Sequence, residues 1–270
     1  MAQTINVTVT SIRMVKSNII RLEIFRPADY QFVPGQFARI GISSDDKVGS
    51  TVWRAQTIAS RPEGPALTFY IVYLENQQFS EPLKRIKQGD QIFLDAVSYG
   101  HFTLDRFSAG GDIWLFSTGS GIAPYLCMLQ QKKIWEDFAN IILISSFKDE
   151  TQFVYEESLP LTFERLSSFQ LENYHKFSFV PVFTRKKVVS ECIVKGIKTD
   201  SVFSGAYFEE IISNGALNLI LKNSISAKNS KVMLSGNPNM IKTTRNYLKT
   251  LDLRSSRRDS PGQIAVENYW

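Results

Sequence analysis

Cysteine and histidine are scarce in this 270-residue sequence, which contains two of each. Cys127 and Cys192 lie far apart, and neither has a second Cys or a His at metal-ligand spacing. We therefore expect neither a structural metal site nor an obligatory disulfide. With His101 and His175 as its histidines, the sequence also offers no Ser-His-Asp or Cys-His constellation for nucleophilic catalysis.

Long hydrophobic runs are absent from the start of the chain, where MAQTINVTVTSIRMVKSNIIRLEIF alternates Val, Ile and Leu with polar residues. A signal peptide or a membrane-spanning helix requires an unbroken apolar stretch. We therefore expect a cytoplasmic protein without membrane insertion.

The charge of the chain bears on its partners. A formal net charge of +5 favours encounter with acidic molecules by long-range attraction. The Lys and Arg residues are spread along the chain without a nucleic-acid motif, so no nucleic-acid partner is expected.

Length and composition favour two domains. The chain exceeds the usual size of one domain, and its 43% hydrophobic content with 19 Phe can fill two cores. One large α/β domain is the alternative.

The first part of the chain, up to about Asp105, is rich in short β-like runs separated by turn residues. INVTVTSIRMV, IIRLEIF, QFARIGI, WRAQTIAS, ALTFYIVYL and DQIFLDAV are such runs. Short strands at regular spacing predict an antiparallel β-barrel, and FSEPLKRI at 79–86 predicts a short helix.

From Asp112 onward the pattern changes to apolar strands followed by helical stretches. DIWLFST, NIILISSF and KVMLSGN predict strands, whereas PYLCMLQQKKIWEDF at 124–138 and PNMIKTTRNYLKTL predict helices. This alternation predicts a mostly parallel sheet with helices on its faces. The small residues at 108–111 mark the boundary, so we expect domains at 1–108 and 109–270.

Two loops follow predicted strands of the second half and precede helices. Gly119-Ser120-Gly121-Ile122-Ala123-Pro124 allows a tight turn and close approach of ligand phosphates to backbone N–H groups. Ser235-Gly236-Asn237-Pro238-Asn239-Met240 lies at another strand end, where ligands of open α/β sheets collect. Alone, each is equally compatible with a structural turn or a helix cap.

Two further segments indicate a function only when they are considered together with these loops. Arg54-Ala55-Gln56-Thr57 lies in a predicted barrel strand, where an Arg fork suits a pyrophosphate and a hydroxyl can reach the same ligand. The chain closes on Glu267-Asn268-Tyr269-Trp270, whose aromatic pair fits either a frayed tail or a hydrophobic plug.

All four segments, in this order on a barrel followed by an α/β half, resemble the ferredoxin/flavodoxin–NADP(+) reductase family of bacterial type. In that family the corresponding motifs read Arg-x-Tyr-Ser, Gly-Thr/Ser-Gly-Ile-Ala-Pro and Cys-Gly-Asn-Pro, with a Glu before terminal aromatic residues. The resemblance covers essentially the whole chain. It implies an FAD-binding antiparallel β-barrel domain followed by an NADP(H)-binding α/β domain whose aromatic tail lies on the flavin.

The resemblance also implies cofactor-binding residues. Those implied for FAD are Arg54, Ala55, Gln56, Thr57, Tyr70, Ile71, Val72, Tyr73, Gln78, Phe79, Ser80, Ser120, Glu267, Tyr269 and Trp270. Those implied for NADP(H) are Gly119, Gly121, Pro124, Phe147, Lys148, Thr184, Arg185, Gly236, Asn237, Pro238, Asn239 and Thr243. Thr57, Ser235 and Glu267 are the residues implied beside the reacting rings, with Glu267 passing protons.

This sequence departs from the family pattern at four of these positions: Gln56, Thr57 in place of Ser, Ser235, and Thr243 in place of an acidic residue. Gln56 replaces the Tyr that stacks on the flavin, and an amide lacks that flat apolar face. Ser235 replaces Cys, which exchanges sulfur for a smaller oxygen beside the nicotinamide.

The implied activity is NADPH-dependent FAD oxidoreduction of the ferredoxin–NADP(+) reductase type. Hydride passes between NADPH and FAD, and single electrons pass between FAD and ferredoxin or flavodoxin as acidic carriers. We expect a monomer. An NAD(P)H-dependent flavin reductase or an oxygenase reductase component is one alternative, and a flavin-free nucleotide-binding regulatory module, suggested by Gln56, is another.

Overall fold

The computed structural model describes residues 3–16, 18–44, 50–149, 159, 166–185, 190–201, 207–257 and 259–268. The chain forms two compact units. Unit 1 comprises Met1–Thr103 with Ala123–Gln130, and unit 2 comprises Leu104–Ile122 with Gln131–Trp270.

Unit 1 carries the first six strands and two helices. The strands are β1 (Thr4–Lys16), β2 (Ile19–Phe25), β3 (Phe37–Ser44), β4 (Ser50–Thr57), β5 (Ala66–Val72) and β6 (Gln91–Asp95). The helices are α1 (Ser80–Leu83) and α2 (Ala123–Leu129).

Unit 2 carries the remaining elements. Its strands are β7 (Asp112–Thr118), β8 (Asn140–Phe147), β9 (Phe177–Phe183), β10 (Ser190–Val194), β11 (Ile197–Ser201), β12 (Ser230–Gly236) and β13 (Ile264–Asn268). Its helices are α3 (Lys132–Asp137), α4 (Ser168–Asn173), α5 (Phe208–Ser213), α6 (Ala216–Leu221) and α7 (Pro238–Thr250).

The strands of unit 1 form one antiparallel sheet in the order β4-β3-β6-β1-β2-β5. Alternation in the sequence explains its core, because successive side chains of a strand point to opposite faces. In β2 the side chains of Ile20, Leu22 and Ile24 are buried in the core, while Arg21 and Glu23 pair on the other face at 2.6 Å. The predicted antiparallel β unit is confirmed.

Helix α2 packs on unit 1 through contacts that are distant in sequence. Cys127 is fully buried in the unit 1 core, and its thiol donates to the carbonyl of Ser60 at 2.9 Å. Burial raises the pKa of this thiol well above its usual range.

The continuous helix predicted over 124–138 is wrong, because the chain forms α2 and α3 with a break at 130–131. The Gln130 amide donates to the carbonyls of Leu126 at 2.7 Å and Ala59 at 3.0 Å. These bonds satisfy a carbonyl at the end of α2 that would otherwise lack a partner, and they tie the end of the helix to unit 1.

The strands of unit 2 form a second sheet in the order β11-β10-β9-β8-β7-β12-β13. The five strands β9, β8, β7, β12 and β13 are parallel to one another. Strands β10 and β11 add an antiparallel hairpin beside β9. The predicted mostly parallel sheet is confirmed. Trp114 and Phe116 of β7 belong to a core shared with Phe208 of α5, Leu217 of α6 and Ile241 of α7, so even-numbered residues of β7 face these helices.

The start of β7 is fixed by one buried carboxylate. Asp112 is 3% exposed and accepts hydrogen bonds from the side-chain amides of Asn140 at 2.6 Å, Asn223 at 3.1 Å and Asn229 at 3.1 Å. A carboxylate has enough lone pairs for all three donors. It therefore joins the start of β8 and the loop between α6 and β12 to the amino end of β7.

Substitution Asp112→Ala should lower the free energy of unfolding by about 2–4 kcal/mol, because three amides lose a charged acceptor that is itself buried. Denaturant-induced unfolding measures the change. The control is Glu191→Ala, which removes an exposed ion pair with Lys198 and should cost no more than about 0.5 kcal/mol. Equal losses of stability for the two variants would contradict a structural role for the Asp112 hydrogen bonds.

Candidate functional site

Two glycines bring the carboxyl ends of β7 and β12 close together. Gly121 lies in the 3₁₀ turn Gly119–Ile122, and a Cβ added there would stand 2.5 Å from the carbonyl oxygen of Ser235. Gly236 ends β12 with φ +126°, and a Cβ there would stand 2.2 Å from Thr118 Oγ1. The two backbones approach more closely than any residue with a side chain allows.

The loop after β12 leads into the N-terminus of α7. Oδ1 of Asn237 accepts from the backbone N–H groups of Asn239 at 2.8 Å and Met240 at 3.3 Å, and Pro238 occupies the first turn. The Asn237 N–H donates to Thr118 Oγ1 at 2.8 Å. The first turn of this 13-residue helix is thereby held at the end of β7, where the helix dipole favours an anion.

Gly119 differs from the two packed glycines. It has φ +52°, and no atom in the described part of the chain lies within 4 Å of a Cβ added there. The backbone at the start of the turn is therefore open to a ligand, while Gly121 behind it fixes the turn on β12.

Two basic residues follow the neighbouring strands β8 and β9. The backbone N–H of Arg185 donates to the carbonyl of Lys148 at 3.0 Å, and that of Thr184 donates to the carbonyl of Phe147 at 2.9 Å. Lys148, Thr184 and Arg185 are exposed, whereas Phe147 is buried against Phe183. The backbones of two exposed basic residues thus lie side by side at the carboxyl edge of the sheet.

Three buried serines and Glu267 lie in register across this edge. Ser145 of β8 pairs with Ser117 of β7, Ser117 with Ser235 of β12, and Ser235 with Glu267 of β13. The Ser117 and Ser145 hydroxyl oxygens are 2.7 Å apart. Ser235 is fully buried, and its hydroxyl has no hydrogen-bond partner among the described residues. We call these four residues the serine row.

The residues of unit 1 that are implied for FAD begin on β4, an end strand of its sheet. Arg54 and Gln56 pair with Ile40 and Ala38, so the two side chains share one face of β4. Arg54 is exposed, and its Nη1 donates to the carbonyl of Trp53 at 3.1 Å. Thr57 lies at the end of β4, 6% exposed.

The residues implied on β5 divide between two faces. Ile71 and Tyr73 belong to the core of unit 1, whereas Tyr70 pairs with Arg21 on the opposite face, which it shares with Val72. Ala55 is exposed on β4.

Helix α1 follows β5 and carries further predicted residues. Phe79 is buried in the core, Gln78 is exposed, and the Ser80 hydroxyl accepts from the Leu74 N–H at 3.2 Å. A hydrogen bond with Tyr73 raises the pKa of Lys84, which follows the helix.

The remaining predicted residues lie in several places. Ser120 is 6% exposed within the 3₁₀ turn, and Pro124 is in the first turn of α2. Thr243 is exposed on α7, and its hydroxyl donates to the carbonyl of Met240 at 3.2 Å. Tyr269 and Trp270 lie outside the described residues.

Sequence reasoning missed Ser117 and Ser145. A signal was present, because Ser117, Ser145 and Ser235 are each the sixth residue of their strands. It identifies the row only after the three strands are known to be parallel neighbours in register.

The arrangement in unit 2 suits a dinucleotide. An open backbone at Gly119 and the N-terminus of α7 can receive phosphates, and the two cations after β8 and β9 can pair with a further anionic group. Within the described residues, no helix is both long and apolar enough to span a membrane.

Known proteins resemble the chain over its full length. A protein of Buchnera aphidicola subsp. Baizongia pistaciae, named flavodoxin/ferredoxin–NADP reductase, is 30% identical over 267 residues, which is 98% of each chain. The protein of the same name from Escherichia coli K12 is 28% identical over 271 residues, covering 100% of both. A solved ferredoxin NADP+ reductase from Neisseria gonorrhoeae, with bound FAD and NADP, matches with a TM-score of 0.85 at 28% identity over 100% of both chains. No protein-family model matches the chain.

Substitution Gly236→Ala should lower the free energy of unfolding by about 3 kcal/mol, because φ +126° disfavours a side chain and the new methyl meets Thr118. The control is Gly119→Ala, where the added methyl meets nothing and the left-handed backbone costs about 1 kcal/mol. Denaturant unfolding compares the two, and a Gly119→Ala variant that loses as much as Gly236→Ala would refute the close backbone contact.

Proposed function

This chain belongs to the flavodoxin/ferredoxin–NADP reductase family, and on that premise we propose that it transfers hydride between NADPH and bound FAD, and single electrons between FAD and ferredoxin or flavodoxin. The observation that carries the proposal is the set of loops at the carboxyl edge of unit 2, where an open glycine, a capped helix N-terminus and two exposed basic residues follow the neighbouring strands β7, β12, β8 and β9.

NADP(H) fits the chemistry of these loops. Gly119 leaves backbone N–H groups accessible, and the α7 N-terminus with Asn237 and Asn239 offers a dipole and polar groups to phosphates. We assign to Lys148 and Arg185, whose backbones are hydrogen-bonded to each other, the pairing with the additional phosphate that distinguishes NADP from NAD.

FAD fits the end strands of unit 1. The Arg54 guanidinium has five N–H donors, and its bond to the Trp53 carbonyl uses one, so others can bind a pyrophosphate. Residues on β5 and at the start of α1 are the further contacts that we assign to FAD. Ser80 already accepts a backbone bond from Leu74, and its own hydroxyl proton can still be donated to a phosphate.

The redox chemistry is that of the flavin, which accepts a hydride and returns electrons singly. The residues of the chain bind, orient and exclude water. We assign to Thr57 a hydrogen bond to the flavin ring, to Ser235 a position beside the nicotinamide, and to Glu267 the holding of a proton at its carboxyl group.

The partner, the domains and the cellular setting complete the proposal. Flavodoxin or ferredoxin as an acidic carrier is supported by the family name and by the net charge of +5. We propose an FAD domain at 1–108 and an NADP(H) domain at 109–270. Cytoplasmic location and a monomeric state remain sequence-based predictions.

Gln56 favours a second candidate, a flavin-free regulatory module that binds a nucleotide. An amide in place of a stacking ring weakens the hold on a flavin. The two candidates differ in one directly observable property, which is visible colour.

Purification tests the main proposal. The protein should show flavin absorbance bands and should reduce ferredoxin or flavodoxin faster with NADPH than with NADH. Arg54→Ala should lower the FAD content of the purified protein, whereas Arg13→Ala, which removes an exposed arginine of β1, should leave it unchanged. A colourless protein that refuses added FAD supports the regulatory module instead.

Substitution Arg185→Ala should raise the KM for NADPH by roughly 10–100-fold, because a charged hydrogen bond to a phosphate is lost. The KM for NADH should change little. Steady-state kinetics with both nucleotides measure this, with Arg254→Ala as the exposed arginine control. If NADPH and NADH lose equally with Arg185→Ala, the phosphate assignment fails.

A further inference from the structure

The three serines of the row carry more hydroxyl donors than the hydrogen bond between Ser117 and Ser145 uses. Ser117, Ser145 and Ser235 are all fully buried, and each hydroxyl carries one proton to donate. The Ser117–Ser145 bond uses one proton. Two donors therefore remain in a place without water access, and leaving a buried donor unpaired costs free energy.

The four residues of the row point to the same face of the sheet. Even-numbered residues of β7, β8, β12 and β13, such as Trp114, Ile142, Leu234 and Ile264, belong to the core under α5, α6 and α7. Alternation puts the row on the opposite face. Neighbouring strands are about 4.8 Å apart, so a serine hydroxyl can reach its neighbour, as Ser117 and Ser145 do.

The two ends of the row differ chemically. At β9 the residue in register with Ser145 is Pro181, whose side chain accepts no hydrogen bond. At β13 the residue in register with Ser235 is Glu267, whose carboxyl group keeps an oxygen that accepts a hydrogen bond whether or not the group holds a proton. If the hydroxyl groups donate in the order from β8 to β13, every hydroxyl proton has an acceptor. Ser145 then donates to Ser117, Ser117 donates to Ser235, and Ser235 donates towards Glu267.

We propose that Ser117, supported by Ser145, is a positioning residue that orients the hydroxyl of Ser235. Rotation about the Cα–Cβ bond of Ser235 brings its oxygen to Ser117 as an acceptor and directs its proton towards Glu267. Hydrogen bonds in such a chain polarise one another in the same direction. Because the row ends at Pro181, it orients the hydroxyl and does not conduct protons through the sheet.

The inference deepens the proposed function, because it rests on the position of Ser235 beside the nicotinamide. A serine in that position has a directional hydrogen bond to make, and its hydroxyl can be misdirected. The row fixes the direction before the nucleotide binds, which lowers the cost of ordering the site.

The row itself is tested without nucleotide. Unfolding of Ser117→Ala, Ser235→Ala and the double variant forms a double-mutant cycle. Ser117→Ala should lower the unfolding midpoint, and the loss should be smaller when Ser235 is already Ala. The control is Ser178→Ala, which removes a buried serine hydroxyl of the same sheet that accepts a hydrogen bond from the Lys195 N–H. The stability that this variant loses should add to the stability lost by Ser235→Ala.

Kinetics test the positioning role. Ser117→Ala should lower kcat by about 3–10-fold, which corresponds to one hydrogen bond, and leave the KM for NADPH unchanged. Ser145→Ala should have a smaller effect, since Ser117 still reaches Ser235, and Ser178→Ala should have none. In the Ser235→Ala background, Ser117→Ala should lower kcat no further.

Two results would overturn the inference. One is strict additivity of Ser117→Ala and Ser235→Ala in both unfolding and kcat. The other is a kcat loss for Ser178→Ala equal to that for Ser117→Ala. A protein that fails to oxidise NADPH sinks the proposed function, and the unfolding cycle still decides whether the hydroxyls are coupled.

Discussion

The close backbone contact between Gly121 and Ser235 is the constraint on which the carboxyl edge of unit 2 depends. It leaves no room for a Cβ, and Gly236 meets Thr118 equally closely. With the turn fixed on β12, Asn237 can bond to Thr118 and begin α7 at that point. The open backbone of Gly119 and the position of the α7 N-terminus depend on this contact.

The sequence predicted the local elements well, because alternation and apolar runs are local properties. The strands IIRLEIF, DIWLFST and KVMLSGN occur where their patterns place them. The two-domain class and the family follow from motifs that are weak singly and specific in their order, and the full-length similarity confirms both.

Features that depend on distant residues were not predictable in the same way. The break between α2 and α3 depends on the bond from Gln130 to Ala59, which is 71 residues away. In the sequence, the C-terminal segment is notable for its terminal aromatic residues, which do not predict a strand. In the structure, its residues Ile264–Asn268 form a strand beside β12. The proximity of Ser117 and Ser145 to Ser235 depends on the parallel register of β7, β8 and β12, which the sequence does not specify.

Gln56 is a position at which this chain has the family's fold but not the family's side chain. It shares a face of β4 with Arg54, and in the family motif that this segment resembles its position is a Tyr. Trp53 does not replace that ring, because its side chain is on the opposite face of β4, packed over Gly41 and near Arg39. The face of β4 that carries Arg54 and Gln56 therefore presents no aromatic side chain within Ser50–Thr57.

Hydride transfer from NADPH to bound FAD is the central claim, and rapid anaerobic mixing tests it most directly. The flavin absorbance of the purified protein should bleach on addition of NADPH, and deuterium at the transferred C4 position should slow the bleaching. Flavin absorbance that stays unchanged with NADPH would contradict the account.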